Sequence, residues 1–184
     1  MKVNWIVATG YQLDPTMDIE AMKQIGPIWG SWTTWRSCAT DNVVCYEKPD
    51  AIRLVQRSFH TSCNFYAPQE HYVDMGRPIG VNLYSGDYLE SCVSIEDIIA
   101  MHLVTALSDI VLLMGFDLGD IKTSTDRLES HQIKNRHGLI RSAITNSSKT
   151  QWVLVDHPKS LDKAYQNIPN LTCDNYSNVL QLLM

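Results

Sequence analysis

The run Ile110-Val111-Leu112-Leu113-Met114-Gly115-Phe116-Asp117-Leu118-Gly119 constrains the fold more than any other stretch of the chain. A short, unbroken apolar segment bounded by turn residues reads as a strand buried on both faces. Such a strand belongs inside a parallel sheet that carries helices on both sides. The glycine and aspartate that follow it mark the edge at which open α/β sheets bind ligands.

The same alternation runs through the rest of the sequence. Residues 3–10 read as a first strand ending at Gly10, and residues 17–25 as a short helix stopped by Gly26-Pro27. Trp29, Trp32 and Trp35 recur every third residue across 28–38 and read as anchors that pack a short helix on the sheet. Strands are expected at 42–46, 63–67, 80–84, 110–115, 151–156 and 171–173. Helices are expected at 50–59, opened by Pro49 in the first turn, and at 138–146, 160–165 and 177–182. Ser94-Ile95-Glu96-Asp97 resembles a capping box and opens a further helix to Leu107, in which His102 reads as a core histidine. Residues 119–135 are polar and loop-like. The expected architecture is a single Rossmann-like three-layer αβα sandwich over residues 1–184, with a mostly parallel sheet of about six or seven strands.

Composition excludes several classes. With 184 residues, 45% hydrophobic and 19% charged, the chain has enough apolar material for one full core and lacks the signature of disorder. No apolar stretch approaches the roughly 18 residues of a membrane span, and no signal peptide is read at the N-terminus. Five cysteines, an odd number without a CxxC, read as reduced; Cys45, Cys63 and Cys173 sit in apolar or strand-like runs as small core residues. A cytoplasmic protein is expected.

The net charge of −5 is unevenly spread. Residues 1–120 hold 7 Lys/Arg against 15 Asp/Glu, whereas residues 121–141 hold 5 against 2, together with His131 and His137. A basic island in an acidic chain points to a local anionic ligand rather than to a nucleic-acid surface; a solvated charged loop accounts for it equally.

Gly26-Pro27-Ile28-Trp29-Gly30-Ser31-Trp32-Thr33-Thr34 is the best candidate for a phosphate cradle, with Gly30 for close backbone approach and Ser31 and Thr33 for hydroxyl donors. No GxxxxGK[ST] and no GxGxxG occurs, so no cofactor is specified. Asp117, directly after the buried strand, suits ribose binding, metal chelation or proton transfer, and equally the capping of a turn. His131, Asn135, Arg136 and His137 form the densest polar cluster. Arg136 is the residue type that grips a phosphate with two donors, and a histidine can move a proton near neutral pH. His131 and His137 stand six residues apart with no Cys or Glu to complete a ligand set, so no metal site is expected. Asp156-His157-Pro158 ends another buried strand, but adjacent strand residues point to opposite faces.

Ser31-Trp32-Thr33-Thr34-Trp35-Arg36, Asp41-Asn42-Val43-Val44-Cys45, Met114-Gly115-Phe116-Asp117-Leu118-Gly119, Asn135-Arg136-His137-Gly138-Leu139 and Trp152-Val153-Leu154-Val155-Asp156-His157-Pro158 resemble conserved proteins of tailed bacteriophages that carry no assigned activity. That resemblance implies a protein made in the host cytoplasm. A helix leading into Gly115-Phe116-Asp117-Leu118, with His131 downstream, is similar to the motility-accessory-factor and hydroxymethylpterin-pyrophosphokinase-like proteins, relatives of bacterial sialyltransferases. It implies a Rossmann-like fold and transfer from a nucleotide-activated or pyrophosphate donor. The usual glycine-rich N-terminal motif of that family is replaced here by Gly30-Ser31-Trp32-Thr33.

Two functions follow as expectations. One is a protein that binds a phosphorylated small molecule, a nucleotide or sugar nucleotide, and extends to a transferase: Gly30, Ser31, Thr33, Asn135 and Arg136 hold the ligand, and Asp117 with His131 or His137 does the chemistry. The other is a non-enzymatic accessory protein that binds a host or virion protein through an exposed apolar patch. A homo-oligomer that completes the site is a further partner arrangement.

Overall fold

The computed structural model describes residues 1–15, 17–85, 92, 94–116, 118, 127–156, 161 and 163–184; of residues 127–131 and 133 it describes the backbone alone. Eight strands form one sheet: β1 (Val3–Val7), β2 (Ile28–Ser31), β3 (Asn42–Val44), β4 (Asn64–Pro68), β5 (Val81–Tyr84), β6 (Ile110–Met114), β7 (Gln151–Val155) and β8 (Leu171–Asp174). All neighbours pair in parallel, in the order β5-β4-β3-β2-β1-β6-β7-β8. Among the described residues the helices are α1 (Ile19–Ile25), α2 (Trp32–Cys38), α3 (Lys48–Gln56), α4 (Ile95–Thr105), α5 (Arg127–Asn146) and α6 (Tyr176–Leu183).

The reading of residues 110–114 holds: β6 lies at the centre between β1 and β7, and Val111 to Met114 are all buried. Its side chains alternate between two cores, as period two requires. Val111 and Leu113 pack with Ile98, Met101 and Val104 of α4 and Ile140 and Ile144 of α5. Leu112 and Met114 pack with Met22 of α1 and Val179 of α6. α2 and α3 cover the same face as α1, over Val43 and Phe65. The result is a Rossmann-like α/β sandwich with helices on both sides of the sheet.

Strand order explains the helix distribution. The chain winds outward from β1 to β5, returns to the far side of β1 as β6, and winds outward again to β8. Right-handed crossovers in opposite directions put their helices on opposite faces. The reversal falls between β1 and β6.

Several sequence expectations are corrected. The sheet has one strand more than expected, because Ile28–Ser31 is a strand rather than part of a helix. A glycine inside a strand weakens its sequence signal, yet Gly30 is held to that size: a Cβ there would come within 2.9 Å of the Thr34 side chain. Residues 127–135 are helical and not loop, because α5 runs unbroken to Asn146 through Gly138. His102 is exposed on the outer side of α4 rather than buried. Cys173 is exposed too, since β8 is an edge strand, whereas Cys38, Cys45 and Cys92 are buried thiols.

Each fully buried indole finds an acceptor for its N–H: Trp5 on the Met22 carbonyl at 3.0 Å and Trp152 on Ser147 Oγ at 2.8 Å. Trp29, also buried, donates to Asn4 Oδ1 at 2.9 Å. Trp29 therefore belongs to the sheet, and only Trp32 and Trp35 are helix anchors. No helix among the described residues is long and apolar enough to cross a membrane.

Candidate functional site at the strand-order reversal

A glycine in the left-handed region follows each of β1 and β6, Gly10 three residues on at φ 79° and Gly115 directly at φ 75°. L-residues adopt that conformation at a cost, so glycine is what lets both strands turn sharply here. The two glycines differ in their surroundings. A Cβ on Gly10 would meet nothing within 4 Å, whereas one on Gly115 would strike the Tyr11 ring, which lies across it. The backbone at Gly10 is thus open on the side a Cβ would take, while Tyr11 covers Gly115 and Phe116 is buried in the core.

Asp97 is the buried polar centre of this strand end. It is 1% exposed and, among the described residues, accepts three hydrogen bonds. Thr9 supplies two of them to Oδ1, from its backbone nitrogen at 2.9 Å and its hydroxyl at 2.7 Å. Arg136 Nη2 supplies the third to Oδ2 at 2.9 Å. Arg136 Nη1 also donates to the Ser94 carbonyl at 3.1 Å, and the guanidinium lies 5.5 Å above the Phe116 ring. One carboxylate thereby ties together the end of β1, the start of α4 and the middle of α5. Burial pushes the Asp97 carboxyl up, against the opposing pull of Arg136 and Thr9.

The capping box read into Ser94-Ile95-Glu96-Asp97 does not form. Ser94 has φ 55° and makes no side-chain cap, and the Asp97 side chain turns to Thr9 and Arg136 instead. A better signal was present. Asp97 stands at helical spacing with Met101 and Val104, on the stripe that faces the core, where an unpaired carboxylate is costly. Such a residue calls for a buried cation, and Arg136 provides it.

Glu96 was also missed as a candidate. It is half-buried, and burial pushes its carboxyl up, with Asp97 and Glu47 adding to the rise while backbone N–H groups of Glu96 and Tyr46 oppose it. A carboxyl held above its usual range at the ligand edge of a sheet suits proton transfer. Cys92 is buried nearby; burial pushes its thiol up while Arg136 pulls it down. It is therefore poorly suited to act as a thiolate nucleophile.

The hydroxyl cluster expected at residues 30–34 reaches the same strand end from the other side. Ser31, 2% exposed, caps α2 by accepting from the Thr34 nitrogen at 3.3 Å. Its Oγ lies 2.7 Å from Thr33 Oγ1 and 3.1 Å from Thr34 Oγ1, and Thr34 Oγ1 donates to the Ala8 carbonyl at 3.4 Å. Adjacent residues Ala8 and Thr9 thus join the Ser31 cluster to the Asp97–Arg136 pair. Gly30 itself lies inside the sheet, paired with Val43, and its backbone serves the ladder.

The other expected site residues are placed as follows. Asp117 lies outside the described residues. His131 lies on α5, more than one turn before Arg136, with its side chain outside the described set. Asn135 is half-buried beside Arg136. His137 faces elsewhere, about 100° round the helix from Arg136. Its Nδ1 lies 3.2 Å from Tyr165 Oη, and that hydroxyl donates to the His137 carbonyl at 2.8 Å. Tyr165 is 2% exposed, and the two rings lie 5.7 Å apart between centroids. His157 lies outside the described residues, and Asp156 accepts from the Tyr176 nitrogen at 2.9 Å at the start of α6. Among the described residues no group of three or more His, Cys, Asp or Glu is placed to hold a metal ion.

No protein-family model, no curated protein and no solved structure matches this chain.

Proposed function

We propose that the protein binds a phosphorylated small molecule, a nucleotide or sugar nucleotide, in the crevice between the ends of β1 and β6, and that its activity extends to group transfer from that ligand. The observation that carries this reading is the meeting of Thr9, Asp97 and Arg136 at the reversal of strand order. In open α/β sheets that is where ligands sit. Three further features support it. Gly10 leaves open space beside the strand end. Arg136 is held in one orientation by Asp97 and the Ser94 carbonyl. The exposed Thr33 hydroxyl lies on the same crest, next to Ser31. Glu96 is the group we assign to proton transfer, with Asp117 and His131 as further candidates.

Calorimetry and thermal denaturation with ATP, GTP, UDP-glucose and UDP-N-acetylglucosamine test the reading. A ligand at a hundredfold excess over its Kd adds about 2.7 kcal/mol of stability. Thr33→Ala, which leaves the Ser31 cap of α2 in place, is expected to weaken that binding severalfold without lowering Tm. No stabilisation by any of the four at millimolar concentration sinks the proposal.

The second reading, a non-enzymatic accessory protein, draws on Val73, Ile79 and Leu83, which are 65%, 94% and 40% exposed. They lie in one stretch of chain that ends in the edge strand β5. Capture of a partner that is lost on Ile79→Asp and kept on Thr33→Ala would favour it.

A further inference from the structure

Tyr11 sits at the strand-order reversal itself. Its N–H donates to the Ala8 carbonyl at 3.1 Å and closes a four-residue turn whose third residue is Gly10 at φ 79°. A turn with positive φ at its third position takes glycine there. The Tyr11 side chain is thereby carried back across the end of β6 and onto Gly115, where any Cβ would strike its ring. It packs against the cores on both faces of the sheet, yet the residue stays half-buried. The ring is therefore held in place without being enclosed. An aromatic ring held this way, at the edge where open α/β sheets take their ligands, is a stacking surface.

The same edge has a polar direction. Trp29 pairs with Ile6, Val7 with Met114, and Met114 with Val155. Continuing that register, Ser31, Ala8, Gly115 and Asp156 stand in a row across β2, β1, β6 and β7, at intervals of about 4.8 Å. The Ser31–Thr33 hydroxyls lie at one end of the row, and Arg136 reaches Asp97 beside Thr9. Asp156 lies at the other end. It is exposed, has φ 53°, and one of its carboxylate oxygens accepts from the Tyr176 nitrogen at 2.9 Å. Burial pushes the Tyr11 hydroxyl up, and the carboxylates of Asp156 and Asp14 add to the rise, so the ring's polar end looks toward negative charge. Donors thus stand on one side of the ring and carboxylates on the other.

We propose that Tyr11 stacks on the base of a nucleotide whose phosphates lie toward Thr33 and Arg136 and whose ribose hydroxyls donate to Asp156. The assignment rests on the phosphorylated-ligand reading of this edge and narrows it to nucleotides, as against sugar phosphates and inorganic polyphosphates. Carboxylates accept from hydroxyls and repel phosphate, which fixes the ligand's direction. The row from Ser31 to Asp156 spans three strand intervals, about 14 Å, a reach that a nucleotide has and inorganic phosphate lacks.

The test is calorimetry on the full chain with ATP, UTP, inorganic tripolyphosphate and ribose 5-phosphate. At least one nucleotide is expected to bind about tenfold more tightly than either of the last two, within the range of base–aromatic stacking. Tyr11→Phe keeps the ring and is expected to bind nucleotide as the parent does. Tyr11→Leu is expected to bind it about tenfold more weakly, with tripolyphosphate binding unchanged. Asp156→Asn keeps an acceptor for the Tyr176 nitrogen and suits the left-handed backbone. It is expected to abolish the parent's preference for the ribonucleotide over its 2′,3′-dideoxy analogue. The proposal is overturned if tripolyphosphate or ribose 5-phosphate binds as tightly as the nucleotides, if Tyr11→Leu binds nucleotide as Tyr11→Phe does, or if Asp156→Asn retains the ribose preference. Those results leave the phosphorylated-ligand reading standing, whereas no binding by any of the four compounds overturns both.

Discussion

Asp97 shows how much one residue can decide. A fully buried carboxylate is tolerated only when it is paired and hydrogen-bonded, and Thr9 and Arg136 meet both conditions. Breaking a buried pair by removing one partner leaves the other charge stranded and costs about 3–5 kcal/mol. Asp97→Asn is expected near the lower end of that range, because the Arg136 side chain retains 15% exposure. Arg136→Met should cost a similar amount. The double variant should cost clearly less than the two together, since neither charge is then left alone. Urea denaturation of the three variants measures this; simple additivity would show that the pair is not a unit. The residue types at this site were visible in the sequence, but their pairing was not. Arg136 read as a phosphate ligand and Asp97 as a helix cap, because local spacing was the only guide and the two residues stand 39 positions apart.

α5 is the element in which local and tertiary preferences conflict most. It carries Gly138 inside its helical span. A glycine inside a helix costs about 1 kcal/mol relative to alanine, and the local signals start the helix at Gly138 rather than before it. The helix continues because Ile140, Ala143 and Ile144 pack on α4 and β6 and because Arg136 is tied to Asp97. Gly138 is exposed, and a Cβ there would meet nothing within 4 Å. Gly138→Ala is therefore expected to stabilise the protein by about 0.5–1 kcal/mol, read as a higher denaturation midpoint. A loss of stability would mean that the glycine serves a contact at that position. β2 is the counterpart among the strands. Its glycine hides the strand in the sequence and is required in the structure by the close approach of Thr34.

At the scale of the whole molecule, the buried thiols predict how stability depends on pH. Burial pushes the Cys38 and Cys63 thiols from an ordinary value of 9.0 to about 11, and raises Cys45 further still. The folded state then keeps these protons where the unfolded chain loses them. Their contribution is complete below about pH 9 and is lost as pH rises through about 11. Tyr11, Tyr66 and Tyr176, also raised chiefly by burial, act in the same direction. The denaturation midpoint is expected to fall steadily across this alkaline window, and Cys38→Ala with Cys45→Ala to flatten the slope whatever they do at neutral pH. A midpoint unchanged over the window would contradict this account.

Hydropathy patterning alone set the fold class, because the apolar runs of β1, β6 and β7 are too short for buried helices and too apolar for a half-exposed sheet. It also determined that any switch-point site would draw on strand ends such as Thr9-Gly10 and Gly115. Long-range packing set the strand order, and with it that β1 and β6 are neighbours and that the sheet reverses between them. Local periodicity records which face of an element is buried, and not against what. The partners of Asp97, the turning away of His137 and the seating of Tyr11 on Gly115 all come from contacts between segments far apart in the chain.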